Sequence, residues 1–138
     1  MNCLICFILV AIIILGLALF ILMSFNKGAP VKLDVEKYRV SYLEIENNLK
    51  QDDLSCHMTI INADKLLDQA LKELRIPGVT MGDRLKNAKS KFHNNDRVWS
   101  AHKLRNRIVH EHGVDLTYKD CRVALAGFKE ALKDLGAI

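Results

Sequence analysis

Residues 117–136, TYKDCRVALAGFKEALKDLG, contain the start, the apolar face and the end of one amphipathic helix. Thr117 and Asp120 have the spacing of an N-terminal capping box, and Gly136 is a residue type at which helices commonly end. The apolar residues between them follow at spacings of four, three, four and three, which puts them on one helical face; they are Cys121, Leu125, Phe128, Leu132 and Leu135. The stretch therefore predicts a helix that packs one face against other helices.

Similar signals recur upstream. An apolar stripe over residues 31–49 predicts a bundle helix; a coiled-coil seam also fits it, although so few heptads favour the bundle. A second helix is expected over about 54–74, and Pro77-Gly78 end it. A third is expected over 82–92, where Thr80 and Asp83 have the spacing of a helix start. A fourth is expected over about 97–112, ended by Gly113. The two stripes that we expect to face inward are Val31, Val35, Tyr38, Tyr42, Ile45 and Leu49, and Leu54, Met58, Ile61, Leu67, Leu71 and Leu74.

Strand-like alternation of useful length is absent from the sequence. Helices joined by short loops are typical of antiparallel bundles. We therefore expect an all-α fold in which residues 32–138 form a small antiparallel bundle of four to five helices, large enough to bury its own core.

The first 26 residues differ from the rest, because all 36 charged residues lie at or after Lys27. Residues 3–23, CLICFILVAIIILGLALFILM, are 21 uncharged residues in a row, about the length that a helix needs to cross a bilayer. A cleaved secretory signal is the alternative, but no basic segment precedes the run and no A-x-A site follows it. The pattern predicts a single transmembrane helix over residues 1–25, followed by a linker over 26–31.

Positive charges follow the apolar run closely, at Lys27, Lys32, Lys37 and Arg39. Positive flanks stay on the cytoplasmic side, so we expect a single-pass membrane protein whose C-terminal domain is cytoplasmic. Cys3 and Cys6 lie in the apolar run, Cys56 and Cys121 are isolated, and outside that run neither Cys nor His residues have metal-ligand spacing. We therefore expect buried thiols, with no metal and no cofactor.

The charge of the chain is unevenly distributed. The whole sequence has a formal net charge of +4, whereas residues 84–107 contain eight basic residues and one acidic residue, a net charge of +7. Clustered Lys and Arg indicate a polyanionic partner, either RNA or another nucleic acid or anionic lipid headgroups at the membrane. A solvated helix face is the alternative. The candidate RNA-binding residues are Arg84, Lys86, Lys89, Lys91, Arg97, Lys103 and Arg107.

Arg105 is the most unusual charge in this stretch. Helical geometry of about 100° per residue places it inside the apolar arc of the fourth helix, which includes Val98 and Val109. A guanidinium there pairs with an acid, extends to the rim of the fold or lines a functional pocket. Asn106 and His110 lie on the adjoining face, and Trp99 and His102 are close in angle. An imidazole that moves protons and an Arg that stabilises phosphoryl oxygens suit metal-independent RNA cleavage. Alternatively, His110 only stabilises the helix C-terminus.

The segment Arg105-Asn106-Arg107-Ile108-Val109-His110 resembles the Arg-x(4–6)-His signature of HEPN domains (higher eukaryotes and prokaryotes nucleotide-binding). These are small helical bundles, many of them RNases or inactive relatives, and a polar residue such as Asn106 typically follows their Arg. Three other pairs also have the spacing: Arg97 with His102, Arg107 with His112, and Arg105 with His112. In the first two pairs the residue after the Arg is apolar, Val98 or Ile108.

The resemblance implies that Arg105 holds the scissile phosphate of RNA, that Asn106 supports it, and that His110 transfers protons by 2′-OH transesterification. It also implies a homodimer whose two motifs face one another, and a nucleotidyltransferase antitoxin as a partner. A non-catalytic binding or dimerisation module is the alternative function.

Overall fold

The computed structural model describes the backbone of residues 2–25 and 31–138, and the side chains of residues 5–21 and 31–138. Six α-helices and one 3-10 turn, but no strands, are found in these ranges. The helices are α1 (Asn2–Phe25), α2 (Val35–Asn47), α3 (Asp53–Glu73), α4 (Met81–Asn87), α5 (Asn95–His110) and α6 (Tyr118–Asp134), and the turn is Lys89–Lys91. The chain divides into two units, Met1–Val31 and Lys32–Ile138. The second unit is a helical bundle, as the sequence predicts.

The first unit contains α1, whose described side chains are exposed. In the described ranges, no helix combines the length and the apolar character that a membrane crossing requires. This finding overturns the predicted transmembrane helix over residues 1–25 and the single-pass localisation with a cytoplasmic domain. The predicted linker over 26–31 lies, up to residue 30, outside the described residues.

Side-chain caps begin the five helices of the second unit. Each cap accepts a hydrogen bond from the backbone N–H three residues later, which satisfies a group that the helix itself leaves unpaired. The predicted Thr80 and Thr117 caps are confirmed as complete capping boxes with Asp83 and Asp120. The remaining caps, which begin α2, α3 and α5, are Asp34, Asp52 and Asn94.

The core of the second unit lies where α3, α5 and α6 pack together, and α2 packs against α3. The apolar face predicted for residues 117–136 is confirmed: only Leu135 of its five residues remains partly exposed. The α2 stripe is half confirmed, since Tyr38 and Tyr42 are buried whereas Val31 and Val35 are exposed.

The inward face predicted for α3 is partly wrong. Leu54 is 73% exposed and Met58 is 48% exposed. The two central leucines of the predicted stripe are buried as expected, and the buried face also includes small or polar residues. Examples of the latter are Cys56, Ala63 and Asp64. The prediction followed the large apolar side chains, but small residues face inward where helices approach closely.

Cys56 of α3 and Cys121 of α6 are joined by a disulfide, with their Cα atoms 5.8 Å apart. Both residues are buried, as expected, but the prediction of free thiols is wrong. Sequence spacing could not pair them, because 65 positions separate them. The disulfide therefore links the two central helices of the bundle.

Candidate functional site

The candidate site is a cavity of about 560 Å³ beside α4 and α5. The lining of this cavity, which we call the Arg105 cavity, is predominantly polar. Its lining residues are Asp68, Val79, Thr80, Met81, Gly82, Asp83, Arg84, Lys86, Trp99, His102, Arg105 and Asn106. Two of the predicted catalytic residues, Arg105 and Asn106, therefore line one concave surface.

Four side chains form a closed network at the wall of this cavity. Asp64 Oδ1 lies 2.7 Å from His102 Nδ1, and His102 Nε2 lies 3.2 Å from Asn106 Nδ2. Asn106 Oδ1 accepts a hydrogen bond of 2.9 Å from Arg105 Nη1. The ring closes where Arg105 Nε lies 3.3 Å from Asp64 Oδ2. We call these four side chains the Asp64 ring.

Burial is graded across the Asp64 ring. Asp64 and His102 are buried, whereas the side chain of Arg105 is 31% exposed. The Nε–H of Arg105 makes no hydrogen bond although it lies within ion-pair distance of Asp64, so that contact is ionic. Arg105 thus combines two of the roles considered for it: it pairs with an acid, and it lines a pocket.

Asp64 is a site residue that was not predicted from the sequence, and His102 was predicted without a role. A signal for Asp64 existed, because it is an acid within the apolar face of α3, four residues after Ile60 and three before Leu67. His102 lies four residues before Asn106, the spacing at which helical side chains meet. The partner helix of α5 could not be identified from either pattern.

His110 is not brought into the Arg105 cavity. It is the last residue of α5, and its side chain is exposed. Within the described ranges no hydrogen bond or ion pair engages its imidazole. Of the three predicted catalytic residues, Arg105 and Asn106 therefore line the cavity, whereas His110 is exposed one helical turn further along α5.

Trp99 is the aromatic residue in the cavity lining. Its ring meets the imidazole of His102 edge to face, with 5.9 Å between the centroids and 78° between the planes. Edge-to-face packing restricts the orientation of both rings. Trp99 therefore helps to hold His102 in the plane from which it reaches Asp64 and Asn106.

The predicted basic cluster divides into paired and unpaired residues. Arg84 is buried, with Nε and Nη2 both 2.7 Å from Asp68 Oδ1 and Nη1 donating to the carbonyl of Gly78. Arg97 pairs with Glu130, and Arg107 pairs with Glu111. The four remaining predicted residues, all exposed, are Lys86, Lys89, Lys91 and Lys103.

The acids of the cavity lining are already engaged. Asp68 is paired with both Arg84 and Lys72. Hydrogen bonds from the backbone and side chain of Thr80 hold the pKa of Asp83 below its ordinary value. In the part of the chain with described side chains, no three metal-ligating groups converge. The partly exposed side chain of Arg105 is thus a cation at the cavity wall whose charge suits an anion.

A larger cavity of about 620 Å³ lies between α5 and α6 and includes Leu104, Leu116 and Val123. Acidic and basic residues are equally numerous in its lining, and neither Arg105 nor His110 belongs to it. The Arg105 cavity is therefore the better candidate, although it is smaller.

Comparisons of the chain with protein-family models, with curated proteins and with solved structures find no match.

Proposed function

We propose that the domain binds RNA and that Arg105 holds a phosphodiester of the RNA at the Arg105 cavity. The observation that carries this proposal is the partly exposed side chain of Arg105, whose guanidinium Asp64 and Asn106 hold from the protein side. A fixed forked cation at the wall of a polar cavity suits the geometry of phosphate oxygens. The proposal keeps the role that the HEPN resemblance implies for Arg105.

The donor inventory of Arg105 supports this role. A guanidinium has five N–H donors. Nε faces Asp64, and one N–H of Nη1 is donated to Asn106. The second N–H of Nη1 and both of Nη2 remain available to an anion, because the described side chains accept no hydrogen bond from them. Arg105 can therefore bind two phosphate oxygens without breaking its own support.

The exposed lysines supply the longer-range attraction. Lys86 lies in the cavity lining, while Lys89 and Lys91 follow it in the 3-10 turn. Asp64 neutralises part of the charge of Arg105, so most of the salt-dependent affinity comes from these lysines. Each phosphate contact contributes to the slope of affinity against salt concentration.

Binding of a fluorescent single-stranded RNA to the full chain tests the proposal. We expect Arg105→Ala to weaken binding about ten- to a hundredfold, the effect of losing charged hydrogen bonds. Arg107→Ala is the matched control, because it removes the same charge from the same helix outside the Arg105 cavity. Equal losses in both variants would contradict a specific role for Arg105, and an absence of RNA binding by the wild type would reject the proposal.

RNA cleavage is a second candidate function, and His110 is the observation that favours it. Its exposed imidazole lies one helical turn beyond Asn106, about 6 Å along the axis. In this second candidate function, His110 reaches a ribose next to a phosphate held by Arg105 and takes the 2′-OH proton there. The 2′-oxygen then attacks phosphorus and the bond from phosphorus to the 5′-oxygen breaks, without a metal. The products are a 2′,3′-cyclic phosphate and a 5′-hydroxyl, whose proton comes from the protonated His110 imidazole.

Cleavage is tested by incubating labelled RNA with the full chain in the presence of a metal chelator. We expect products with 2′,3′-cyclic phosphate ends, and we expect His110→Ala to abolish cleavage but to leave binding within about threefold, since the imidazole is not part of the phosphate cradle. His112→Ala is the control, because it removes a neighbouring imidazole that lies beyond α5. Sedimentation of the wild type with RNA shows whether two copies associate, as the HEPN resemblance implies.

A further inference from the structure

We propose that His102 and Asp64 are positioning residues, which hold the amide of Asn106 in one orientation and thereby aim Arg105 at its anion. This inference rests on the proposed function of Arg105 and adds how the core of the protein controls that residue. The observation that carries it is the closed arrangement of the Asp64 ring, in which three contacts are hydrogen bonds between one donor and one acceptor and the fourth is the ion pair between Arg105 and Asp64.

The hydrogen positions of the ring follow from its chemistry. An ionised carboxylate only accepts hydrogen bonds, so Nδ1 of His102 must donate to Asp64. In a neutral imidazole with Nδ1–H, Nε2 is an acceptor. Nε2 therefore accepts from the Nδ2 amide group of Asn106, which leaves Oδ1 of Asn106 as the acceptor for Arg105 Nη1.

The alternative arrangements each break a contact. The other neutral tautomer would direct the Nδ1 lone pair of His102 at the Asp64 carboxylate. Turning the amide of Asn106 would point its NH₂ group at the guanidinium of Arg105, donor against donor. One tautomer and one amide orientation are therefore the only combination that satisfies all three hydrogen bonds.

Burial makes this preference strong at one end of the ring. Asp64 is 2% exposed and His102 is 5% exposed, so water cannot easily replace a broken contact, and an unpaired polar group there is costly. Asn106 and Arg105 lie nearer the surface. The buried Asp64 carboxylate therefore fixes the orientation of His102, His102 fixes that of Asn106, and Asn106 fixes that of the partly exposed Arg105.

Two substitutions of His102 separate positioning from simple packing. In His102→Gln the side-chain amide oxygen can take the place of Nε2 and still accept from Asn106, although the donor to Asp64 is lost. In His102→Asn the amide nitrogen can take the place of Nδ1 and donate to Asp64, but the acceptor for Asn106 is lost. If positioning operates through Asn106, the Gln variant keeps the function and the Asn variant does not.

The experiment measures RNA affinity and thermal unfolding of both variants as full chains. We expect His102→Gln to bind RNA within about threefold of wild type and His102→Asn to bind about tenfold more weakly, the effect of one misplaced hydrogen bond. Equal affinities in the two variants would overturn the proposal. Thermal unfolding reports the packing loss from the methylene group that Asn lacks, so a difference in affinity that only follows the difference in stability would also overturn it.

An NMR measurement on the wild-type chain, without RNA, determines which ring nitrogen of His102 carries the proton. The side-chain ¹⁵N chemical shifts of the wild-type chain, recorded through two-bond couplings to the ring protons, report the tautomer of each histidine. We expect His102 to be the Nδ1–H tautomer at neutral pH, and the Nε2–H tautomer would overturn the proposal. A wild-type chain with the expected tautomer but no affinity for RNA would reject the proposed function instead.

Discussion

At the residue scale, two buried tyrosines of α2 differ in one contact. The hydroxyl of Tyr42 donates to the backbone carbonyl of Leu125 at 3.2 Å. The hydroxyl of Tyr38 is buried without a hydrogen bond to any described residue, although Glu73 lies nearby. Burial, with a smaller effect from carboxylates, raises the pKa of both phenols, so both stay neutral in the folded protein.

Removing each hydroxyl should therefore have a different effect on stability. We expect Tyr42→Phe to lower the free energy of unfolding by about 1 kcal/mol, because it removes a formed hydrogen bond. Tyr38→Phe should leave it unchanged or raise it slightly, because it removes a hydroxyl that is buried without a partner. Urea unfolding followed by circular dichroism measures both, and a larger loss from Tyr38→Phe would contradict this account.

At the element scale, α3 and α6 end in the same backbone motif with different residues. Ile76 N–H donates to Leu71 O after α3, and Ala137 N–H donates to Leu132 O after α6, each at 2.9 Å. This Schellman motif requires a left-handed residue in between. Gly136 supplies it at φ 69°, whereas Arg75 adopts φ 57° with a side chain.

Placing Gly at position 75 and a residue with a side chain at position 136 should therefore change the free energy of unfolding in opposite directions. We expect Arg75→Gly to stabilise the protein and Gly136→Ala to destabilise it, each by about 1 kcal/mol, because only Gly adopts the left-handed region without steric cost. Thermal unfolding measures the difference. Arg75→Ala serves as the control for the loss of the exposed guanidinium and should not reproduce the gain.

The two capping boxes make a second prediction at this scale. Hydrogen bonds from Thr80 and Thr117 lower the pKa of Asp83 and of Asp120 from the ordinary value of 3.8. A lowered pKa in the folded state means that the stabilisation is fully present above the unfolded pKa and is lost as pH falls through the folded pKa.

The combined variant Asp83→Asn/Asp120→Asn should therefore lose less stability than wild type between neutral and strongly acidic pH. Melting temperatures across that range measure the difference in slope. Asp115→Asn, which removes an acid that caps no helix, is the control and should keep the wild-type slope. Parallel profiles for all three proteins would show that the capping boxes contribute nothing to the acid sensitivity.

At the scale of the whole molecule, the disulfide between Cys56 and Cys121 connects α3 with α6. Constraining a loop of 65 residues is expected to stabilise a protein by about 2–4 kcal/mol. We expect reduction to lower the free energy of unfolding of the wild type by this amount. The variant Cys56→Ala/Cys121→Ala should not respond to the reductant. An unchanged wild type would show that the bond does not stabilise the bundle.

The fold and the site were predictable to different degrees. The helices were predictable, because capping residues, apolar spacing and terminal glycines act within one segment. The segment from Thr117 to Gly136 illustrates this. Arg105 could be recognised as unusual for the same reason. Asp64 could not be assigned to it, because their pairing depends on how α3 packs against α5, and the apolar faces of many helices are interchangeable in sequence.

Local sequence signals are sufficient for the helical class of the bundle, for most of its helix ends, and for the presence of one basic residue on an apolar face. Tertiary structure decided the Asp64 ring, the Cys56–Cys121 disulfide, and which lysines and arginines stay exposed. The difference lies in the distance along the chain over which the interactions act. Caps and helical periodicity are short-range effects that one segment contains, whereas ion pairs and burial between helices depend on packing between residues far apart in the chain.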